Sequence, residues 1–209
     1  MSRKPLNIRE TENEDKIVLS KFNFSCDDKD ETIPKPLPQM LNFFLLVNGR
    51  PGSGKTSLIL NLIAKRGKLY NKKFDRVFVF SPSLTTMANN PFEDLPENQL
   101  HTDLNEANLT EALEDIRDSG EKILFILDDV VNDMKKSAEV QNILSKMLMN
   151  RRHLAGSGGS TSFIITTQVY NKVPAPIRKT ASHIIIYHTK NKKELDTIYD
   201  ELIIVPIKD

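Results

Sequence analysis

A single cysteine, Cys26, among 209 residues excludes an intrachain disulfide, and no C-x-x-C or H-E-x-x-H pattern offers a familiar metal site. Such a chain suits a reducing compartment. No apolar run approaches the roughly 18 residues needed to span a bilayer, and the charged N-terminus lacks the apolar centre of a signal peptide. The expectation is a soluble protein with no membrane insertion. Internal repeats are absent as well. Glycine is sparse, and six of the eight glycines fall in two places, residues 49–54 and 156–159. With 39% apolar residues the chain can bury one sizeable core, enough for one domain plus extensions.

Net charge is nearly absent too, at +1, but the charges are segregated. Residues 93–129 carry twelve acidic and two basic side chains, whereas residues 135–193 carry eleven basic and one acidic. A further basic cluster, Lys65, Arg66, Lys68, Lys72, Lys73 and Arg76, follows the helix expected after residues 49–54. Solvated helix faces account for some such blocks. A polyanionic partner, or head-to-tail assembly of acidic face on basic face, would use them.

Residues 1–38 are charge-rich and end in a proline cluster, Pro34, Pro36 and Pro38, that blocks regular structure and marks a boundary. Within this arm residues 16–24, KIVLSKFNF, could form one strand. From residue 39 onward apolar runs alternate with helical patterns. Strands are expected at 43–47, 76–81, 122–127, 161–167 and 182–188. Helices are expected at 57–65, 109–118, 138–150 and 193–201, with an irregular stretch from the second strand to about Asn108. Runs such as Ile123-Leu-Phe-Ile-Leu127 are continuously apolar, as in strands covered on both faces. The pattern is that of an α/β domain with a mostly parallel central sheet flanked by helices. The second glycine group, 156–159, precedes a strand and is expected to form a mobile loop.

Residues 49–56 read GRPGSGKT, a full match to G-x-x-x-x-G-K-[ST] between an expected strand and an expected helix. Gly49, Gly52 and Gly54 let the backbone take conformations closed to other residues, so that successive N–H groups converge on one anion. The new helix adds the positive end of its dipole. Gly49, Arg50, Pro51, Gly52, Ser53, Gly54, Lys55, Thr56 and Ser57 are therefore the expected nucleotide-binding residues. Lys55 would reach the terminal phosphates, and the Thr56 hydroxyl would join the shell of a magnesium ion. ATP and Mg2+ are the expected cofactors.

The apolar strand 123–127 ends in Asp128 and Asp129, at the end of a buried parallel strand where ligands bind. Asp128 would hold magnesium, while Asp129 would orient or deprotonate the attacking water. Gln168 ends the next apolar strand, where its amide could contact both the γ-phosphate and the water, or simply cap the turn. Arg151, Arg152 and Arg178 are the candidates for stabilising charge on the transferring phosphoryl group. Arg151 and Arg152 also follow an expected helix, where capping of its carbonyl end is the alternative. His153 lies in the same turn.

Three other readings bear on the motif. Asn191-Lys192-Lys193-Glu194 nearly matches the guanine-reading N-K-x-D, but its last residue is Glu and no D-x-x-G follows the acidic strand. A nucleotide or nucleoside kinase would need an acceptor pocket and an arginine-bearing lid. A non-catalytic ATP-binding assembly factor would not need Asp129.

Beyond GRPGSGKT, the segments VFVFSPS at 77–83, ILFILDDV at 123–130, NRRHL at 150–154 and ITTQVYNKVPAPIRK at 165–179 carry a family resemblance. Together they resemble the genome-packaging ATPases of large DNA viruses, of the poxvirus type, within the FtsK/HerA superfamily. The resemblance runs from about Asn42 to His188. It implies a P-loop NTPase of the ASCE type, with one ATPase domain at 39–209 behind an arm at 1–38. It also implies a ring of identical subunits that threads double-stranded DNA, irrespective of sequence, into a preformed capsid, in contact with a capsid or portal component. Such a motor works in the host-cell cytoplasm at sites of virus assembly, or in the virion. The same resemblance gives Lys55 and Thr56 to nucleotide and magnesium, Asp128 to magnesium, Asp129 to water activation and Gln168 to γ-phosphate sensing. A motor of this kind grips phosphates, and the basic stretch 135–193 could supply the contacts. The loop 151–160 is the expected element coupling ATP state to DNA.

Overall fold

Unbroken apolar runs bounded by turns form the centre of a parallel sheet, because only a strand sandwiched between two covering layers is apolar on both faces. The computed structural model describes residues 27–63, 69–86 and 92–203. Its strands are β1 (Phe44–Asn48), β2 (Arg76–Phe80), β3 (Leu100–His101), β4 (Lys122–Leu127), β5 (Ser160–Thr167) and β6 (His183–Ile186). They form one sheet in the order β3-β2-β4-β5-β1-β6, and every pairing is parallel. The helices are α1 (Lys55–Ile63), α2 (Glu106–Ile116), α3 (Val131–Lys136), α4 (Ala138–Met149), α5 (Ala175–Arg178) and α6 (Lys192–Leu202).

Alternate residues of each strand face opposite sides, so the sheet builds two cores. On one side Phe44, Leu46, Phe125, Phe163 and Ile165 pack beneath Leu109, Ala112 and Ile116 of α2 and Val140, Leu144, Met147 and Leu148 of α4. On the other side Leu45, Val47, Val79, Ile126 and Ile164 meet Ile59 and Leu62 of α1, with Ile33, Tyr70, Leu84 and Phe92 from turn-rich segments. A ladder of stacked rings crosses the first core, with Phe78–Phe125 and Phe125–Phe163 centroids 5.0 and 5.1 Å apart. Such cross-strand aromatic pairs help fix register. The proline-rich segment belongs to this body, since Ile33 is fully buried and the Tyr70 hydroxyl donates to Pro38 O at 2.7 Å.

Several expected elements change. The stretch expected to be irregular up to Asn108 contains the edge strand β3 and the start of α2. That start is capped by Asn105, whose side chain accepts from the Asn108 N–H at 2.9 Å. Helix α3 follows the acidic pair directly and was not expected. The loop 151–160 is a run of tight turns pinned to residues 120–121, with Gly120 N donating to Ala155 O at 2.7 Å and Ser160 N to Glu121 O at 3.0 Å. A Cβ on Gly159 would lie 2.7 Å from the Ala155 Cβ and 2.9 Å from Glu121 O. Close packing, rather than the freedom expected of a mobile element, thus explains that glycine. The expected strand at 16–24, Cys26 and the basic residues Lys65, Arg66 and Lys68 lie outside the described residues. Among those described, no helix is long and apolar enough to cross a membrane.

Candidate nucleotide-binding site

The strand order places β5 between β1 and β4, so the residues that leave these three strands at their C-terminal ends meet in one crevice. From β1 comes the loop 49–54, from β4 come Asp128 and Asp129, and from β5 comes Gln168. Ligands of open parallel sheets bind at such carboxyl ends.

Gly52 and Gly54 adopt φ of 73° and 93°, in the region where a side chain is strained. Gly49 is required for a different reason than expected. A Cβ there would lie 2.6 Å from Ser53 Oγ and 2.9 Å from the Tyr187 side chain, so the loop start is walled by the residue after β6. The Tyr187 hydroxyl also donates to Gly54 O at 3.3 Å. Lys55, although charged, is only 5% exposed, and its Nζ donates to Gly49 O at 2.8 Å. The ammonium is thus folded under the loop. Pro51 and Arg50 are exposed at its tip, Ser57 is exposed in the first turn of α1, and Ser53 Oγ is buried with no hydrogen-bond partner among the described residues.

The Thr56 hydroxyl lies 3.2 and 3.5 Å from the two oxygens of Asp128. Burial, together with the charge of Asp129, pushes the Asp128 carboxyl above its ordinary range, against hydrogen bonds from Thr166 and Thr56 and the charge of Lys55. Two crowded carboxylates, one of them largely desolvated, favour a cation. Among the described residues no group of three or more His, Cys, Asp or Glu could hold a metal. A magnesium ion would therefore take one carboxylate and one hydroxyl from the protein and draw its remaining ligands from phosphates and water, as this ion usually does.

Asp129 is held in a left-handed backbone, φ 56°, directly after the strand. This conformation is uncommon outside glycine, although Asp and Asn tolerate it best. The turn is fixed by its N–H, which donates to Thr166 Oγ1 at 2.9 Å, while the Thr166 hydroxyl donates to Asp128 at 2.7 Å. Its carboxylate then stands between Gln168, whose Nε2 donates to Oδ2 at 3.3 Å, and Lys55, whose Nζ is 3.9 Å from Oδ1. Oδ1 is buried and has no hydrogen-bond partner among the described residues, 3.9 Å being too long for one. An acceptor aimed into a phosphate-loop crevice is placed to take a proton from water. Lys55, Thr56, Asp128, Asp129 and Gln168 are thus brought together.

The three candidate arginines are not. Arg151 and Arg152 precede β5, at the opposite end of the sheet from the acids. Arg151 is partly buried, its Nε donates to Asn42 O and its Nη1 to Leu148 O at 2.8 Å, so it caps α4. Burial and neighbouring Arg152 lower its pKa. Arg152 pairs with Asp27 at 3.2 Å. His153 sits in the turn that follows. Arg178 grips both oxygens of Glu201, donates to Val173 O and lies 5.4 Å from the centre of the Tyr170 ring. The guanidinium in turn holds the Glu201 carboxyl below the usual range.

This clamp joins α5 to α6. Arg178→Ala is expected to cost about 1–3 kcal/mol at neutral pH, because it takes both charge-assisted hydrogen bonds from a partly buried carboxylate. Since the folded pKa of Glu201 is depressed, that contribution exists above the unfolded value and vanishes as pH falls through the folded one. Urea unfolding of both proteins at pH 7 and again below pH 4.5, the ordinary glutamate value from which Glu201 is lowered, should show the difference shrink toward the acid.

Thr166, Tyr187 and Glu194 complete the surroundings and were missed. The hydroxyl-bearing residues within β5, which is buried along its whole length, were the available signal for Thr166. In the sequence Glu194 stands out only as the residue that departs from the guanine-reading motif. Its carboxyl is buried against Asn48, Tyr170 and Thr189, which removes it from base recognition.

Comparison with known proteins finds that residues 44–169, from β1 to just past Gln168, match the family model described as NACHT domain. Among solved structures, the chain is similar to B204, the DNA-packaging ATPase from Sulfolobus turreted icosahedral virus. The TM-score is 0.58 at 18% identity, covering 77% of this chain and 82% of that one. It is also similar to the genome packaging NTPase B204 from Sulfolobus turreted icosahedral virus 2 in complex with AMP. There the TM-score is 0.56 at 16% identity, over 78% of this chain and 83% of that one. The same protein in complex with ATP-gammaS gives a TM-score of 0.54 at 16% identity, over 78% and 82% of the two chains. At such identities the likeness establishes the shared P-loop NTPase fold. No curated protein sequence matches the chain.

Proposed function

The chain belongs to the NACHT domain family, and on that premise we propose that it hydrolyses ATP to move double-stranded DNA into a capsid. The observation that carries the hydrolytic part is the position of Asp129, an acceptor suspended between Lys55 and Gln168 at the mouth of the phosphate loop. Lys55 and the loop N–H groups would bind the phosphates, with Thr56 and Asp128 holding magnesium, which supplies charge neutralisation when bound. Gln168 would orient water toward Asp129, which accepts its proton.

The packaging part is supported by the motifs quoted above and by fold likeness to a viral DNA-packaging ATPase. In this reading the protein is an FtsK/HerA-type motor of the poxvirus kind, works as a ring of identical subunits, grips DNA phosphates without reading bases and docks on a capsid or portal component. Arg151 and Arg178 are engaged within the chain. Arg152 is paired as well, with Asp27, but it is about half exposed, and of the three it is the one that could exchange its partner for a neighbouring subunit's nucleotide.

Phosphate release from ATP, measured with and without double-stranded DNA, tests the whole reading. Hydrolysis stimulated several-fold by DNA of any sequence, and losing that stimulation as salt rises, is the expected result. Transfer of phosphate to a nucleoside or nucleotide would replace the motor with a kinase. Binding without turnover would leave an assembly factor.

A further inference from the structure

Beyond the last rung of the sheet, where Gly49 N donates to Thr167 O at 3.0 Å, the chains leaving β1 and β5 diverge, one into the phosphate loop and the other through Gln168. The chain leaving β6 runs beside them, with Tyr187 N donating to Asn48 O at 2.8 Å. One side chain collects all three. Glu194, 4% exposed near the start of α6, accepts from the Asn48 side chain at 3.1 Å and the Tyr170 backbone N–H at 2.6 Å through Oε1. Through Oε2 it accepts from the Thr189 hydroxyl at 2.7 Å. Asn48 immediately precedes Gly49, and Tyr170 lies two residues after Gln168.

The local role open to this residue is not the one it fills. Asn191 caps α6 and accepts from the Glu194 N–H at 3.4 Å, so a capping box would return the Glu194 carboxyl to the Asn191 N–H. That N–H donates instead to Thr189 Oγ1 at 3.2 Å, and the carboxyl turns inward. Among the described residues Glu194 has no Lys or Arg within salt-bridge distance, so neutral donors alone offset its desolvation. An acid buried without a cation is costly to keep, and here its donors come from the chains leaving three different strands. The same turn is held a second time, since the Tyr170 hydroxyl donates to Glu201 at 3.1 Å and Asn171 Nδ2 to Lys193 O at 3.3 Å.

We infer that Glu194 is a positioning residue, one that sets the spacing between the phosphate loop and Gln168 by bonding the residues that flank them. It rests on the ATPase reading for its rate readout only. Glu194→Ala frees the Tyr170 N–H and lets Gln168 drift from Asp129, while the loop N–H groups and Lys55 that bind phosphate stay in place. A misplacement near one ångström is worth up to about 100-fold in rate.

Three proteins decide it: wild type, Glu194→Ala and Glu194→Gln, which keeps an oxygen for Asn48 and Tyr170. Affinity for a fluorescent ATP analogue, phosphate release with Mg2+, melting temperature, and amide exchange over residues 166–172 with and without ATP are measured on each. In Glu194→Ala, kcat is expected to fall about tenfold or more with nucleotide affinity held within about threefold, and Glu194→Gln to recover most of the rate. ATP should slow exchange over 166–172 in wild type and Glu194→Gln but not in Glu194→Ala. Rate and ATP-dependent exchange both unchanged, or rate, affinity and melting temperature falling together with no rescue by Gln, would overturn the proposal. Should wild type bind ATP without hydrolysing it, the ATPase reading fails, and the exchange comparison alone decides the role of Glu194.

Discussion

Lys55→Ala is expected to weaken ATP binding by about 100-fold or more and to bring turnover below detection. The side chain is buried under the loop and bonded to Gly49 O, so its ammonium can swing from carbonyl to phosphate without leaving the site. It is also the cation nearest Asp129. Its removal takes away the one ion-pair partner that Asp129 has among the described residues and leaves two carboxylates facing an incoming polyphosphate. Alanine suits the first turn of α1, so the fold should persist. Titration with a fluorescent nucleotide, alongside a melting curve, checks the prediction, and near-native affinity in a folded variant would remove Lys55 from the phosphates.

Asp129→Asn is expected to separate binding from chemistry. Asparagine tolerates the left-handed backbone at this position about as well as aspartate, so the turn holding the Thr166 contact is retained. Only the basicity is lost. Hydrolysis should fall by about 10²–10⁴, the usual worth of a positioned general base, while nucleotide affinity stays within about threefold or tightens. Asp129→Ala would be the poorer test, because it adds backbone strain to loss of the base. Persistent hydrolysis in Asp129→Asn would move the water-activating role to another acid.

Much of the architecture was legible because unbroken apolar runs leave little freedom. Strand β4 falls at 122–127 as expected, and α4 ends one residue before the expected 150. What escaped was short or set by distant contacts. Strand β3 has two residues and no periodicity to detect. Helix α3 was hidden because Val130 and Val131 look like further strand. The break comes from the left-handed Asp129, which no glycine or proline announces. Within the site, the loop, the acid pair and Gln168 could be named because each follows an apolar strand. Thr166, Tyr187 and Glu194 could not, since their roles depend on which strands lie side by side. The arginines show the converse, for position after a helix left capping and catalysis equally open until Arg151 was seen bonded to Leu148 O.

The Thr166 hydroxyl owns one proton. Because the Asp129 N–H must donate to its oxygen, that proton can go only outward, to Asp128. The direction of this short relay is therefore fixed by stoichiometry: Asp128 receives a donor and Asp129 receives none from the same group. Two chemically identical neighbours are made unequal before any ligand arrives, one anchored and the other left with an oxygen free to accept. A valine at 166, similar in shape but without the hydroxyl, would erase that distinction while leaving both acids in the chain.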